Sequence, residues 1–511
     1  MQNLNKHKAT IFAGFVLLLS IFYLSGCKKD FLNRQPLDQY TQDNYPFPPG
    51  GGIYDQYVNA AYGSLRDFLV SVYDFTAAVS IRSDDADKGS SLFDGDGYGL
   101  IAADNFPVTP ITLFPNDLWK AYYSIVIYKC NVVLQQVARD SSGTPEDTKT
   151  VARAQAKFIR GYAYFMMVRF FGNIPLIDTI LDISESNVPQ SDAATIYAFI
   201  EQDLQYAAAN LPLKWDPKFI GKTTSGAANG LLAKVYLYEK KWGMAMASAG
   251  IVINSAVYDL NTKYDDIFTE GGENTSESVF EIQAYADANH VTDYGCQYAN
   301  IQGVRGVGFQ DLGWGFNSPS TYLEAAYEKN DPRKGSTILY CPSPFPTRYG
   351  ETFPKEPNPR YNMKVYTNPA VRNAVGTLEG QHGWWWDVRI LRYADVVLIY
   401  AEAANELGQT NEALEKLEWI RARARNGNNS ILPKVTTTDQ TQLRLAIQQE
   451  RRIELAMEHE RFFDIVRWGI ADSVLQVGGK PNFLPGRDEL LPIPQAQIDL
   501  SQGVLVQNPG Y

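Results

Sequence analysis

Three glutamates near the C-terminus have a spacing at which two of them could act as a catalytic pair of carboxylates. Glu450, Glu454 and Glu458 are four residues apart, which places their carboxyl groups on one face of a helix. Retaining glycosidases hold two carboxyl groups about 5 to 5.5 Å apart around a sugar bond, so this spacing is compatible with glycoside hydrolysis. A row of like charges also needs cationic partners, and the nearby arginines are Arg421, Arg423, Arg451, Arg452 and Arg461. The sequence therefore favours a structural ion-pair network over a catalytic pair.

Nucleophilic catalysis has little support in this sequence. The chain has four histidines and no Gly-x-Ser-x-Gly motif, the sharp turn on which many hydrolases hold a nucleophilic serine. The glycines at 303, 306 and 308 lack a predicted strand before them and a helix after them, so they do not indicate a phosphate-binding loop. We therefore expect neither serine–histidine catalysis nor a phosphate-binding loop.

Aspartates cluster between residues 84 and 96. Asp84 and Asp85 are followed by Asp94 and Asp96, and the hard carboxylate oxygens of these four residues could hold a structural calcium ion. The spacing lacks the distal glutamate of an EF-hand loop. Aspartates that bond backbone amides in turns explain the cluster equally well, so both interpretations stay open.

Aromatic residues are abundant, and many fall in segments rich in glycine and polar residues. They make up 13% of the chain, with 31 tyrosines, and rings of this kind bind the C–H faces of sugars while amide, carboxylate and guanidinium groups bond the hydroxyls. One segment supplies this mixture with Tyr294, Tyr298, Asn300, Arg305, Phe309, Trp314 and Phe316. A second segment adds Phe93 and Tyr98, which we expect on an opposite wall. Trp384, Trp385 and Trp386 are consecutive, and we expect at least two of them to be packed inside.

The N-terminus has the features of an export signal. Lys6 and Lys8 precede an apolar run over residues 11–24, which is shorter than the roughly 20 residues of a membrane-spanning helix. The run ends in Leu-Ser-Gly-Cys, which resembles the lipobox of bacterial lipoproteins, so residues 1–26 are expected to be cleaved and Cys27 to carry lipid. Residues 27–52 are polar and rich in proline and glycine, as expected of a tether. The acidic remainder, with a net charge of −13 because the signal contains two lysines and no acidic residue, argues against nucleic acid as a partner.

Helical periodicity predicts a mainly α fold for residues 53–511, which we expect to form one domain. Apolar residues recur at three- and four-residue steps in 154–168, 227–238, 245–256, 397–404 and 413–424. Pairs of such segments around short turns match the tetratricopeptide design of stacked helical hairpins. Two regions, around residues 83–115 and 260–390, lose this periodicity, and segments of that kind in a folded domain are often functional. We expect them to form an irregular ligand-binding layer over the helical core.

Several further motifs resemble the SusD/RagB family of surface nutrient-binding lipoproteins of Bacteroidetes. They occur in family order from the lipobox to the last residue. These motifs are DPR at 331–333, RYADVVLIYAEA at 392–403, ERRIE at 450–454 with Glu458, RFFD at 461–464, Arg467-Trp468, LPIP at 491–494 and QNPGY at 507–511.

The resemblance implies a SusD-like fold of tetratricopeptide-like hairpins under a loop-rich ligand face. It also implies a non-catalytic, surface-exposed lipoprotein of the outer membrane that captures oligosaccharide. The implied partner is a SusC-like, TonB-dependent barrel that imports the ligand. Two alternatives stay open: a RagB-like peptide-binding lipoprotein with the same partner, and a surface glycosidase that uses the carboxylates of residues 450–458.

Overall fold

Helices dominate the structure. The computed structural model describes residues 52–91, 94, 99–376 and 382–511, so the signal segment, Cys27 and the tether up to residue 51 lie outside the described residues. Residues Tyr54–Tyr511 form one compact unit. Among the described residues, no helix is both long and apolar enough to cross a bilayer.

In chain order the α-helices are α1 (Asp55–Ser64), α2 (Phe68–Ser71), α3 (Tyr73–Thr76), α4 (Leu100–Asn105), α5 (Leu113–Ala121), α6 (Tyr128–Arg139), α7 (Glu146–Phe171), α8 (Ala193–Asn210), α9 (Ser225–Tyr238), α10 (Trp242–Asn254), α11 (Tyr264–Ile267), α12 (Tyr298–Gln302), α13 (Thr321–Ala326), α14 (Arg333–Thr337), α15 (Pro369–Val375), α16 (Tyr393–Glu406), α17 (Thr410–Arg425), α18 (Gln440–Glu454), α19 (Arg461–Arg467), α20 (Ala471–Val477) and α21 (Gln495–Leu500). Two π-helical turns, Ala77–Ile81 and Tyr122–Ile127, continue α3 and α5.

The long helices stack as hairpins, as the sequence predicts. α7 packs on α8, α9 on α10 and α16 on α17. Helix α8 also packs on α9, and α10 packs directly on α16, although residues 255–392 separate α10 from α16 in the chain. The stack is therefore continuous in space, and the intervening residues form a separate layer outside it.

Local signals in the sequence set the ends of these helices. Asp192, Thr224 and Asp439 precede α8, α9 and α18, and each side chain accepts a hydrogen bond from a backbone amide in the first turn. Gly408 adopts φ +73° in the turn between α16 and α17, a conformation that glycine adopts without strain. Helix α9 is buried on nearly all sides because α8, α10 and a strand of the outer layer surround it.

Short strands, which the sequence does not predict, occur mainly in the outer layer, whereas the pair at residues 174–175 and 190–191 lies between α7 and α8. The strands are β1 (Ala86–Gly89), β2 (Ile174–Pro175), β3 (Gln190–Ser191), β4 (Ser278–Ile282), β5 (Tyr285–Asp287), β6 (His290–Tyr294), β7 (Phe316–Pro319), β8 (Ile338–Tyr340), β9 (Arg360–Asn362) and β10 (Val388–Arg392). They pair antiparallel as β1–β7, β2–β3, β4–β10, β5–β6 and β8–β9. Strand β10 leads directly into α16, so the layer is joined to the helical stack at that point.

A buried ion network, here called the α18 network, joins the layer to the stack. Glu454 is fully buried and accepts hydrogen bonds from Arg333, Arg392 and Arg423, with the Arg423 contact at 2.6 Å and the Arg392 contact at 3.0 Å. Glu450 accepts from Arg333 and, at 2.8 Å, from Arg421. The network is completed by Glu277, Asp331, Lys364 and Glu458.

These contacts show the carboxylate row of residues 450–458 in a structural role. Burial raises the pKa of Glu454, but the arginines outweigh it and hold the pKa at about 2. A general acid in a glycosidase needs a raised pKa and contact with the sugar. Glu454 has neither property in this arrangement.

Replacing Glu454 should destabilise the fold strongly. In Glu454→Gln three buried guanidinium groups lose their shared anion, and removing one partner of a buried ion pair costs about 3–5 kcal/mol. Chemical denaturation monitored by circular dichroism measures the loss. As a control, Glu146→Gln removes an exposed carboxylate that contacts Arg153 at 3.4 Å, and it should cost at most about 1 kcal/mol. Equal losses in the two variants would contradict a stabilising role for the network.

The Glu454 carboxylate should also make the stability of the fold depend on pH in the acidic range. The folded pKa of Glu454, about 2, lies below its ordinary value of 4.5, so the ionised group stabilises the fold above pH 4.5. That contribution is lost as the pH falls from 4.5 towards about 2. Unfolding free energies measured across this range should decline less steeply in Glu454→Gln than in the parent chain. Parallel curves would show that Glu454 is not linked to the acid transition.

Candidate functional site

Strand pairing brings together the two segments in which the sequence predicts binding residues. Strand β1, in the segment 83–115, pairs with β7, directly after Trp314 and Gly315. Gly89 lies opposite Phe316, and the amide of Ser90 donates a 2.6 Å hydrogen bond to the carbonyl oxygen of Gly315. The two segments therefore form one surface.

Trp314 is the central ring of this surface and is 38% exposed. Its ring centroid lies 6.3 Å from those of both Phe68 and Tyr73, while Phe68 and Tyr73 stack at 5.8 Å. The Trp314 amide also donates to the carbonyl oxygen of Asn300 at 3.0 Å, which fixes its backbone. We call Phe68, Tyr73 and Trp314 the Trp314 platform. Rings supported from behind in this way can stack on an apolar face of a ligand.

A polar rim borders the platform. Arg305 donates hydrogen bonds to Asp94 and, at 2.6 Å, to the hydroxyl of Ser90. Partial burial opposes ionisation of Asp94, but hydrogen bonds from Ser90, Ser91 and Arg305 outweigh it and lower its pKa to about 2. Both charged groups are partly exposed, so they can also bond a ligand.

Tyr294 lies on a hairpin of the same layer. It is 49% exposed and lies directly opposite Tyr285, which is 55% exposed, in the β5–β6 pair. Further along the hairpin His290 contacts Asp287 at 3.1 Å. The hairpin therefore presents two neighbouring tyrosine rings to solvent.

Three other predicted binding residues are buried beneath the surface. Tyr298 packs edge-on against His459, with ring centroids 5.1 Å apart. Phe316 packs edge-on against Tyr73 at 5.2 Å, and Asn300 is enclosed at the first turns of α12. In this structure the Phe316 ring supports Tyr73 of the platform, and all three side chains present almost no surface to a ligand.

Some predicted residues cannot be placed. Phe93, Tyr98 and Asp96 lie outside the described residues, as does Cys27. The backbone of Phe309 forms part of a 3-10 turn, Gly308–Gln310, while its side chain is outside the described part of the chain. Their predicted contacts with ligand stay predictions.

Sequence reasoning missed Phe68 and Tyr73. Helix α1 ends at Ser64, and Asp67 caps a separate short helix that carries Phe68. The only available signal was the aspartate followed by two rings five residues apart. Its significance depends on Trp314, more than 200 residues away in the chain.

The tryptophan run is packed largely as expected. Trp385 and Trp386 are buried, and Trp384 is partly buried against the hairpin, where its carbonyl oxygen accepts from the amide of Cys296 at 2.8 Å. The guanidinium of Arg389 lies 4.8 Å from the Trp386 ring centroid. The run therefore supports the layer from inside.

Three of the four aspartates proposed for calcium are bound to arginines instead: Asp94 to Arg305, as described above, and Asp84 and Asp85 to arginines of α18 and α19. Arg452 and Arg461 donate to Asp84 at 2.7 and 2.8 Å, and Arg452 also donates to Asp85 at 2.6 Å. A cation would have to displace these guanidinium groups. Within the described ranges, no group of three or more histidine, cysteine, aspartate or glutamate residues is arranged to hold a metal. These contacts do not favour calcium at Asp84 and Asp85, and calcium binding by the cluster stays a prediction.

Comparison with sequence families gives two matches. The model described as the SusD family matches residues 276–511, and the model described as starch-binding associating with outer membrane matches residues 103–237. SusD-like protein P2 of Formosa agariphila is 30% identical over 478 residues, which cover 89% of this chain and 91% of the relative. A SusD-like protein of Bacteroides ovatus is 26% identical over 480 residues, covering 89% and 82% of the two chains.

Solved structures agree with these matches. A laminarin-binding SusD-like protein superposes with a TM-score of 0.76 at 29% identity, over 91% of this chain and all of the other. Surface glycan-binding protein A from Bacteroides thetaiotaomicron, in complex with laminarihexaose, superposes with a TM-score of 0.73 at 24% identity, over 89% of this chain and 98% of the other. These likenesses confirm the tetratricopeptide-like helical fold.

Gly315 should be needed to hold the Trp314 platform. It adopts φ +75°, and an added Cβ would lie 3.0 Å from the Arg305 side chain and 3.1 Å from Asn358 and Tyr361. Gly350 adopts φ +82°, and a Cβ added there would have no heavy atom within 4 Å, so Gly350→Ala isolates the backbone penalty of about 1 kcal/mol. Gly315→Ala should lower the free energy of unfolding by about 1 kcal/mol more than Gly350→Ala does, because the neighbours of residue 315 must also move. Denaturant unfolding of the two variants measures the difference. Equal losses would mean that the close packing around Gly315 does not matter.

Proposed function

The chain belongs to the SusD/RagB family, and on that premise we propose that it is a cell-surface lipoprotein that captures oligosaccharide. The Trp314 platform is the observation that carries this proposal. It combines a partly exposed ring, held by Phe68 and Tyr73, with the hydrogen-bonding groups of Arg305 and Asp94. Sugars need both kinds of contact, because one face of the ring is apolar and its edge carries hydroxyls.

Binding would proceed without rearrangement of the site. A pyranose stacks on Trp314 while its hydroxyls bond Arg305 and Asp94, and Tyr294 contacts a unit further along. Phe93, Tyr98 and Phe309 belong to the same proposed site by their positions in the chain. Because the platform rings already contact one another, little side-chain freedom is lost when the ligand binds.

The relatives suggest the first ligand to test. The solved structure at 29% identity is named for laminarin binding, and its alignment spans nearly this whole chain. A glucan of the laminarin type is therefore the proposed substrate class. The peptide-binding alternative has no specific support among the described contacts.

The anchor and the partner are proposed on the basis of the family and the N-terminal sequence. We propose that residues 1–26 are removed, that lipid on Cys27 holds the protein to the outer membrane through the tether 27–52, and that residues 53–511 act as one ligand-binding domain. The description of the matching family model as associating with outer membrane supports this location. A SusC-like, TonB-dependent barrel is the proposed recipient of the glycan, with the protein serving as a non-catalytic binder.

Removing the platform ring should weaken glycan binding. For the chain beginning after Cys27, Trp314→Ala should raise the Kd for laminarin roughly 10- to 100-fold, because a buried ring contact contributes about 1–3 kcal/mol. Isothermal titration calorimetry measures the change after a glycan array has identified the bound class.

Trp242→Ala is the matched control. Trp242 is another partly exposed tryptophan, at the start of α10, and its loss should leave the Kd unchanged. Binding that survives Trp314→Ala would move the site elsewhere on the surface. A folded parent chain that binds peptides and no glycan would replace the proposal with the peptide-binding function.

A further inference from the structure

A second cleft lies apart from the Trp314 platform. It has a volume of about 380 Å³ and is bounded by the loop between α8 and α9 on one side and by β4 on the other. Clefts of 300–1,000 Å³ are the usual size for small-ligand sites. We call it the Trp215 cleft.

The lining of the cleft combines rings with polar groups. Trp215 and Phe219 pack edge-on with centroids 6.1 Å apart, and the exposed side chain of Ile220 extends the apolar wall. Thr224, which precedes α9, and Tyr258 also line the cleft, and their hydroxyls are hydrogen-bonded to each other at 2.8 Å. This pair uses only one hydroxyl hydrogen in its mutual bond, so the other hydrogen can bond a ligand. The cleft therefore combines aromatic rings with hydrogen-bonding groups, as the Trp314 platform and its polar rim do.

The cleft walls are held in place without a ligand. The indole Nε1 of Trp215 donates to the carbonyl oxygen of Thr223 at 2.7 Å, and the amide of Thr223 donates to the hydroxyl of Tyr62 at 2.9 Å. Gly221 adopts φ +86° where a Cβ would collide with the side chain of Gln283. The loop can approach β4 this closely because residue 221 is glycine.

Gln283 connects the cleft to the platform. Its side-chain oxygen accepts a 2.9 Å hydrogen bond from Asn274, which lines the cleft. Its carbonyl oxygen accepts from Arg66 at 3.4 Å, and Arg66 lies two residues before Phe68 of the platform. Hydrogen bonds through Gln283 and Arg66 therefore link the cleft to the segment that carries Phe68.

We propose that the Trp215 cleft is a second carbohydrate-binding site that takes a further stretch of the glycan held at the Trp314 platform. This inference rests on the proposed function. A glycan held at two sites binds more tightly than a glycan held at either site alone. Binding at the first site raises the local concentration of the next stretch of the glycan near the second site. The protein thereby distinguishes a polymer from a short oligosaccharide.

The test compares ligand length in variants of each site. Calorimetry with laminaritriose and with laminarin is carried out on the chain beginning after Cys27. Phe219→Ala should raise the Kd for laminarin about tenfold and change the Kd for laminaritriose less than about twofold, because the short ligand occupies the platform alone. Trp314→Ala should raise the Kd for both ligands.

Ile220→Asp provides a second variant that should not affect folding. The side chain of Ile220 is 65% exposed, and an aspartate there disrupts the apolar wall of the cleft. Leu445→Asp, at a 60% exposed position on α18, is the matched control and should bind laminarin as the parent does.

The outcomes separate the two proposals. If laminaritriose binds through Trp314 while Phe219→Ala and Ile220→Asp leave the Kd for laminarin unchanged, the second site is refuted and the platform stands. If the folded parent chain binds neither ligand, the laminarin-type function fails and the second site fails with it. A length-dependent loss confined to the cleft variants supports the inference.

Discussion

The burial of charge around α18 is the constraint on which the rest of this structure depends. Glu454 lies out of reach of water, and a buried carboxylate without partners would cost several kcal/mol. Its partners come from three places: Arg333 from the outer layer, Arg392 from the end of β10 and Arg423 from α17. Each contact requires the segment that carries it to be in position. The helical stack and the layer are therefore stable in this arrangement only together.

The same helix also holds the binding surface. Arg452 of α18 pairs with Asp84 and Asp85, which directly precede β1. Strand β1 pairs with β7, and β7 follows Trp314 after one residue. A continuous series of ion pairs and backbone hydrogen bonds thus leads from the core to the platform. Loops usually give mobile sites, whereas these loops are fixed at both ends, which favours a preformed ligand surface.

The helical stack could be predicted from the sequence in more detail than the outer layer could. The helical hairpins could be predicted because apolar steps of three and four residues report directly on a buried helix face. The role of Glu454 could also be anticipated, since arginines surround it in the sequence. In the layer, strands of three to five residues leave too short a pattern to detect. There both Tyr298 and Trp314 look suited to bind a sugar, and only tertiary packing buries the first and exposes the second.

The charge of the platform rim follows from its internal contacts. Asp94 is ionised at any pH well above 2, and it is bonded to the guanidinium of Arg305. The pair has no net charge, yet its remaining donors and acceptors are available to hydroxyl groups. An anionic glycan would have to compete with Asp94 for Arg305 and would be repelled by the displaced carboxylate. A neutral sugar meets neither cost, so the rim is suited to uncharged glycans.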